Sequence, residues 1–191
     1  EPATQSELAA DLNLIPATAC VELAAKGLLR PIPTIALSED QLDWKGLFQG
    51  LREQGCTLGG TPSVIPLSLP TLVVYYRADL LAKSGRQPPQ TWDDYLKLAK
   101  EMGDWAAGLK FCEPARGRWG ATLYLARAAS FAKHPDHTAF LFDLETGDQL
   151  IDSPGFQRAW DLHRELFSLL PAEGKEMTPL DCRKEIVEGR A

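Results

Sequence analysis

Few residues in this chain are spaced for chemistry. His134 and His137, in "HPDH", have a metal-like separation, yet Pro135 between them suits a surface turn, and no further ligands can be placed. His163 falls on an apolar helical face, the setting of a hydrogen-bonded core or interface histidine. Asp93 and Asp94 are adjacent, so on a helix they diverge. They suit the positive end of a helix dipole better than a paired acid and base. There is no G-x-S-x-G elbow, no G-x-x-x-x-G-K loop and no G-x-G-x-x-G after a strand. One segment looks able to touch a ligand: "PARGRWG", 114–120, reads as a mobile loop with an aromatic, Trp119, to stack on something. The inventory points to binding without catalysis, metal or cofactor.

Four cysteines, Cys20, Cys56, Cys112 and Cys182, lie far apart with no C-x-x-C. A zinc site is not expected from that spacing. Four cysteines permit three pairings, and both disulfides and buried free thiols stay open.

The elements that would position these residues follow from length and pattern. A chain of 191 residues fits one large domain or two small lobes. A hydrophobic content of 45% and a charged content of 24% are those of a globular protein. The net charge of −6 disfavours nucleic acid, which needs a positive field. No apolar run reaches the roughly 18 residues of a membrane span. The chain opens on Glu1, so the lack of a visible signal peptide decides nothing.

Along the chain, "ADLNLIP" (10–16) reads as a buried strand and "ATACVELAAKG" (17–27) as a helix stopped by Gly27. "LLRPIP" is an extended exit, and "DWKGLFQGLREQG" (43–55) a helix with Trp44, Leu47, Phe48 and Leu51 on one face. Residues 56–72 suit a bent extended crossing or a short hairpin, and "VVYY" (73–76) a strand. "RADLLAKSG" makes two helical turns ended by Gly85, and Pro88 and Pro89 form an elbow. Thr91 caps the next helix with Asp94 in capping-box position, and Gly103 ends it. Further on come a small-residue helix (121–134), two strands about Gly147 (138–151), and a helix from Ser153 and Pro154 to residue 170. That helix carries Phe156, Trp160, His163 and Phe167 on one face. A short helix near "PLDCRKEIVEG" follows. Alternation of strands and helices predicts an α/β architecture. The boundary is expected at the bent crossing: a first lobe over 1–68, a hinge crossing over 69–76 and a second lobe over 77–191. Two lobes without a catalytic set suit binding by enclosure.

The stretch "IPLSLPTLVVYYRADLLAKSGRQPPQTWDDYLKLAKEM" (65–102) resembles the signature of family 1 extracellular solute-binding proteins, the sugar-binding components of ABC importers. Pro66, Tyr75, Tyr76, Asp79, Leu80, Leu81, Gly85, Pro88, Pro89, Thr91 and Trp92 carry the match. "ADLNLIP…ELAAKGLLRPIP", "LFDLETGDQLIDSPGFQRAWDLHREL" and "VEGRA" extend it along most of the chain. Two departures stand out. Arg77 replaces the Asn usual after the paired aromatics, and Thr18 stands where a sugar-clamping acid is common.

The resemblance implies a periplasmic-binding-protein-like two-lobe fold, incomplete and truncated at both ends. It implies a periplasmic or extracellular, non-enzymatic receptor for a sugar or oligosaccharide that delivers to ABC permease subunits, with no cofactor. Contact with a membrane would come only through the permease or a lipid anchor. The alternative is an interaction or regulatory domain that keeps the fold within a larger protein. By position the ligand would meet Thr18, the crossing residues Ser68 to Thr71, Tyr76, Trp119 and Tyr124.

Overall fold

The computed structural model describes residues 11–40, 42–69, 71–133 and 139–191, so His134, His137 and Pro70 lie outside the described residues. The chain divides into two compact units, Glu1–Thr71 and Leu72–Ala191.

In the first unit, α1 spans Ala17–Ala25 and buries Cys20 and Leu23, three residues apart on one face. Its end follows the sequence expectation. Gly27 adopts φ +68°, where a side chain would be strained, and this lets Gly27 N–H donate to Ala24 O and Leu28 N–H to Leu23 O, both at 2.9 Å. That pair of bonds satisfies carbonyls the helix would otherwise leave open. After the extended exit comes a short helix not expected from the sequence, α2, Thr34–Ser38. The hairpin option for 56–72 is the one adopted: β1 (Thr57–Leu58) pairs antiparallel with β2 (Thr61–Pro62). Both Gly59 (φ +57°) and Gly60 (φ +79°) are left-handed, as the tightest hairpin turns require.

Two expectations in this unit fail. The helix expected over 43–55 is broken into a 3₁₀ turn, Trp44–Gly46, and a π-helical turn, Leu51–Gly55. The Asp43 carboxylate accepts from Gly46 N–H at 3.2 Å, a local bond that competes with helix propagation. Leu47 is then extended, and Phe48 is exposed. The strand expected over 10–16 does not form in its described part. Leu12 and Leu14 stand in solvent there, because an apolar stretch becomes a strand only where another strand accepts its ladder.

The second unit is helical: α3 (Ala78–Lys83), α4 (Trp92–Lys100), α5 (Met102–Trp105), α6 (Arg118–Ala132), α7 (Pro154–Leu169) and α8 (Pro179–Val187), with a 3₁₀ turn at Glu173–Glu176. The pair of bonds that closes α1 also closes α3 at Gly85 and α8 at Gly189. Thr91 and Asp94 form the expected capping box in full. The Thr91 hydroxyl accepts from Asp94 N–H, and the Asp94 carboxylate accepts from Thr91 N–H at 3.0 Å. Asp is thus long enough for a position where Glu or Gln is usual. Thr178 and Asp181 repeat the box at α8. Ser153 and Pro154 open α7 as expected, although the Ser153 side chain makes no capping bond.

Three local expectations are corrected here. Val73–Tyr76 is extended but belongs to no strand, and its residues are about half exposed or more. The break after α4 comes at Glu101, and Gly103 lies inside α5. Trp105 Nε1 donates back to Leu98 O at 3.1 Å, folding this short helix against its predecessor. Around Gly147 the turn is present, but the two strands reduce to the single antiparallel bridge Phe142↔Gln149.

The core lies between α6 and α7, at Ala128, Phe156 and Ala159, with Tyr124, Phe131, Ala132, Phe140 and Leu141 around it. The small residues allow a close approach, as expected of that helix. A Cβ on Gly155 would stand 2.9 Å from both Ala132 Cα and Phe131 O. Because the Thr91 and Thr178 boxes satisfy otherwise open helix donors, Thr91→Ala and Thr178→Ala should each cost about 1 kcal/mol. Thermal melts would show this as a fall in Tm of roughly 2–4 °C, and an unchanged Tm would remove the capping role.

Candidate functional site

Arg127, in the middle of α6, has a fully buried side chain, and Glu113, in the segment leading to that helix, is nearly so. The two form an ion pair through Arg127 Nη2 and Glu113 Oε1. The other arm of the fork, Nη1, lies 2.6 Å from His163 Nδ1 on α7. Arginine has no acceptor, so Nδ1 is unprotonated and the imidazole proton sits on Nε2. The guanidinium face covers the Trp92 ring of α4, 5.2 Å from its centroid. Tyr95, one helical turn on, donates its hydroxyl to Glu113 Oε1 at 3.0 Å. Burial and then the Glu113 charge push the Tyr95 pKa well up, which keeps that proton on the phenol. Among the described residues, Arg127 Nε is a fully buried side-chain donor without an acceptor.

His163 is held down to a pKa of about 4, by burial first and by the Arg127 charge second. It is therefore neutral at pH 7, as an acceptor from arginine must be. Its ring stacks on Trp160 (6.1 Å, 18°) and Phe167 (6.5 Å, 20°), forming an aromatic ladder along α7. Tyr124 of α6 meets Trp160 edge-on at 5.6 Å and His163 at 5.8 Å.

Beside this edge is an open hollow of about 380 Å³, lined by Tyr124, Ile151, Phe156, Gln157, Trp160 and Asp161. Gln157, Trp160 and Asp161 are spaced i, i+3 and i+4 on α7 and share one face. Half the Trp160 surface is exposed. An aromatic wall, an amide and a carboxylate together can bind a ligand having one apolar face and several hydroxyls. The volume falls in the range of about 300–1,000 Å³ usual for small-molecule sites.

A second cavity in the same unit, of about 100 Å³, is lined by Tyr76, Leu81, Tyr95, Leu98, Trp105 and Phe111 among others. Its lining is mainly apolar.

The six residues expected to meet a ligand are placed as follows. Thr18 is exposed in the first turn of α1. Ser68 and Thr71 are exposed in the extended segment, and the Thr71 hydroxyl donates to Leu69 O at 3.3 Å. Tyr76 lines the smaller cavity and Tyr124 the hollow. Trp119 lines neither. It lies in the first turn of α6 under Arg118, whose Cζ is 5.4 Å from the ring centroid, and not in a loop. Tyr76, Trp119 and Tyr124 are thus not gathered in one hollow of the second unit. Trp160, Gln157 and Asp161, which line the hollow, were not among the residues expected to meet a ligand, although their i, i+3, i+4 pattern was available.

The Arg127–Glu113 pair predicts a marked asymmetry. Arg127→Met leaves the buried Glu113 carboxylate without its cation and should cost about 3–5 kcal/mol, whereas adding Glu113→Gln to it should cost much less than the two single changes together. Urea unfolding of the three variants measures this, and strict additivity would deny the coupling. His163 predicts a pH effect. Its folded pKa lies below its unfolded value of 6.5, so the unfolded chain binds the proton first as pH falls. Stability attributable to it is intact above pH 6.5 and declines toward pH 4. Partial exposure of the ring discounts the loss to roughly 1–2 kcal/mol. Denaturant midpoints at pH 7 and 4.5 should differ less in His163→Gln than in the parent chain.

The family model for bacterial extracellular solute-binding proteins matches residues 4–152. A relative, Putative ABC transporter periplasmic-binding protein YcjN of Escherichia coli (strain K12), is 28% identical over 107 residues, covering 53% of this chain and 23% of the relative. The chain thus spans about a quarter of the curated relative's length. No solved structure matches it. The chain belongs to the bacterial extracellular solute-binding proteins, and its place is the periplasm or the extracellular space.

Proposed function

We propose that this chain forms part of a receptor that binds a carbohydrate outside the cytoplasm and hands it to an ABC permease. The family match supports solute binding as the activity. The observation that carries the choice of solute is the hollow beside Tyr124 and Trp160. A pyranose has apolar C–H faces that stack on aromatic rings, and hydroxyls that each need a donor or an acceptor. Trp160 and Tyr124 offer the first, Gln157 and Asp161 the second.

The reading includes closure of two lobes on the solute, with 69–76 as the hinge. In this reading Thr18, Ser68 and Thr71 contribute from the first unit and Tyr124 from the second, while Tyr76 and Trp119 stand outside the hollow. Closure follows if the sugar binds the closed form more tightly than the open one. No catalytic role is assigned to any of these side chains.

A thermal-shift screen of mono- and oligosaccharides tests the proposal. At about 100 times its Kd, a ligand held only by the folded chain adds about 2.7 kcal/mol, a Tm rise of roughly 5–10 °C at this size. Trp160 is half-exposed, so Trp160→Ala should keep the fold and weaken the responding sugar at least tenfold. A screen in which no sugar shifts the chain would overturn the carbohydrate reading. A shift unaffected by Trp160→Ala would keep the sugar and discard the hollow.

A further inference from the structure

We infer that the four cysteines form two disulfides, Cys20–Cys56 in the first unit and Cys112–Cys182 in the second. Of the three pairings open to the sequence, this is the one in which each bond stays within a unit. In the second unit the segment before α6 runs antiparallel to α8. Lys110 N–H donates to Arg190 O at 2.8 Å, and Arg116 N–H to Met177 O at 3.1 Å. The Lys110–Glu173 ion pair at 3.0 Å fastens the same segment. Cys112 lies between those two backbone bonds, and Cys182 lies in α8, which the same bonds bring alongside; both thiols are partly buried. In the first unit Cys20 and Cys56 are both buried. They come from α1 and from the end of the Leu51–Gly55 turn, and Cys20 adds to burial in raising the Cys56 pKa.

The compartment supplies the second half of the argument. Thiol pairs are kept reduced in the cytosol but oxidise in the periplasm and outside the cell. The co-reactant is a disulfide, of a small thiol or of an oxidoreductase. Cys182 lowers the Cys112 pKa, which makes Cys112 the attacking sulfur. Its thiolate attacks one sulfur of the oxidant and expels the first thiolate. Cys182 then loses its proton and attacks Cys112 Sγ in the mixed disulfide, expelling the second. Two protons pass to the two released thiolates, the oxidant gains two electrons, and one Sγ–Sγ bond forms. Cys20 and Cys56, being buried, would react by the same steps before their unit closes. This inference rests on location and on cysteine placement, and is independent of which solute is bound.

The test is to express the chain with export to the periplasm, block free thiols with a maleimide under denaturing conditions, and map the peptides without reductant. The expected result is no maleimide uptake, a mass about four units below the reduced chain, with one hydrogen lost per cysteine, and the two named cross-links. Cys182→Ser should expose one reactive thiol, at Cys112, and leave Cys20–Cys56 intact. Full reduction of the parent should lower Tm by roughly 5–15 °C per bond. Maleimide on all four cysteines, or any peptide joining Cys20 or Cys56 to Cys112 or Cys182, would overturn the pairing. A single cross-link found alone would overturn the other bond.

Discussion

A guanidinium with no exposed surface lies among three elements of the second unit, and their mutual placement is written around its geometry. Arg127 comes from α6. Its fork reaches Glu113 in one direction and His163 of α7 in another, while its flat face lies on Trp92 of α4. Lysine could not replace it, because a point charge on a flexible stem has neither fork nor face. Such a pair adds little net stability over an apolar substitute, since desolvating two charges offsets their attraction. Its effect is selective. Any slip of α7 along α6 separates His163 Nδ1 from Nη1 and leaves another arm of a buried cation without an acceptor, beside the Nε already lacking one.

The chain of consequence then runs outward to the surface. Arginine fixes one imidazole nitrogen as acceptor, and burial with the adjacent charge keeps the ring neutral. A neutral ring stacks flat between Trp160 and Phe167, so Trp160 is braced from one side by His163 and meets Tyr124 edge-on from another. Half of the indole nevertheless faces solvent. A large aromatic held rigid yet left uncovered is what ligand stacking needs, since little conformational freedom remains to be lost on binding. The surface ion pair between Arg158 and Asp93 ties α7 to the start of α4 in the same unit, but with both partners exposed it contributes less than the buried fork.

Local chemistry was legible in the sequence and non-local chemistry was not. Thr91 with Asp94, Gly27, Gly85, and Pro154 at the start of α7 act within four or five residues, so the string itself contains both partners of each interaction. The small residues near Ala128 announced a close approach, and it is met by Gly155 and Ala159 of α7. Strands require a distant partner, and the segments at 10–16 and 73–76 were read from side-chain type alone. The helix over 43–55 was lost to one competing bond from Asp43, which periodicity does not register. At the site, Trp160 was seen on the right face of its helix. That face is partly core at Phe156 and partly open at Trp160, and only packing distinguishes the two. Arg127 carried no signal, because a lone cation in a small-residue helix reads as a solvated position until Glu113 is found beside it.

Arg77, the departure from the usual Asn after the paired aromatics, can be followed to its consequence. An Asn there would offer a side-chain oxygen to the open N–H groups of α3, whereas arginine has only donors. Here Arg77 occupies the capping position without capping. Its Nε and Nη2 grip both oxygens of Asp79, at 2.9 and 2.6 Å, one residue into the helix. The carboxylate so held has its pKa lowered, by the Arg77 hydrogen bond first, and carries its charge at the positive end of the helix dipole. The cation therefore orders the acid that stands in for the missing cap, and the substitution is absorbed within three residues. Neither residue lines the hollow at Trp160. The departure is thus accounted for locally by helix initiation, and Arg77 also borders the smaller, mainly apolar cavity.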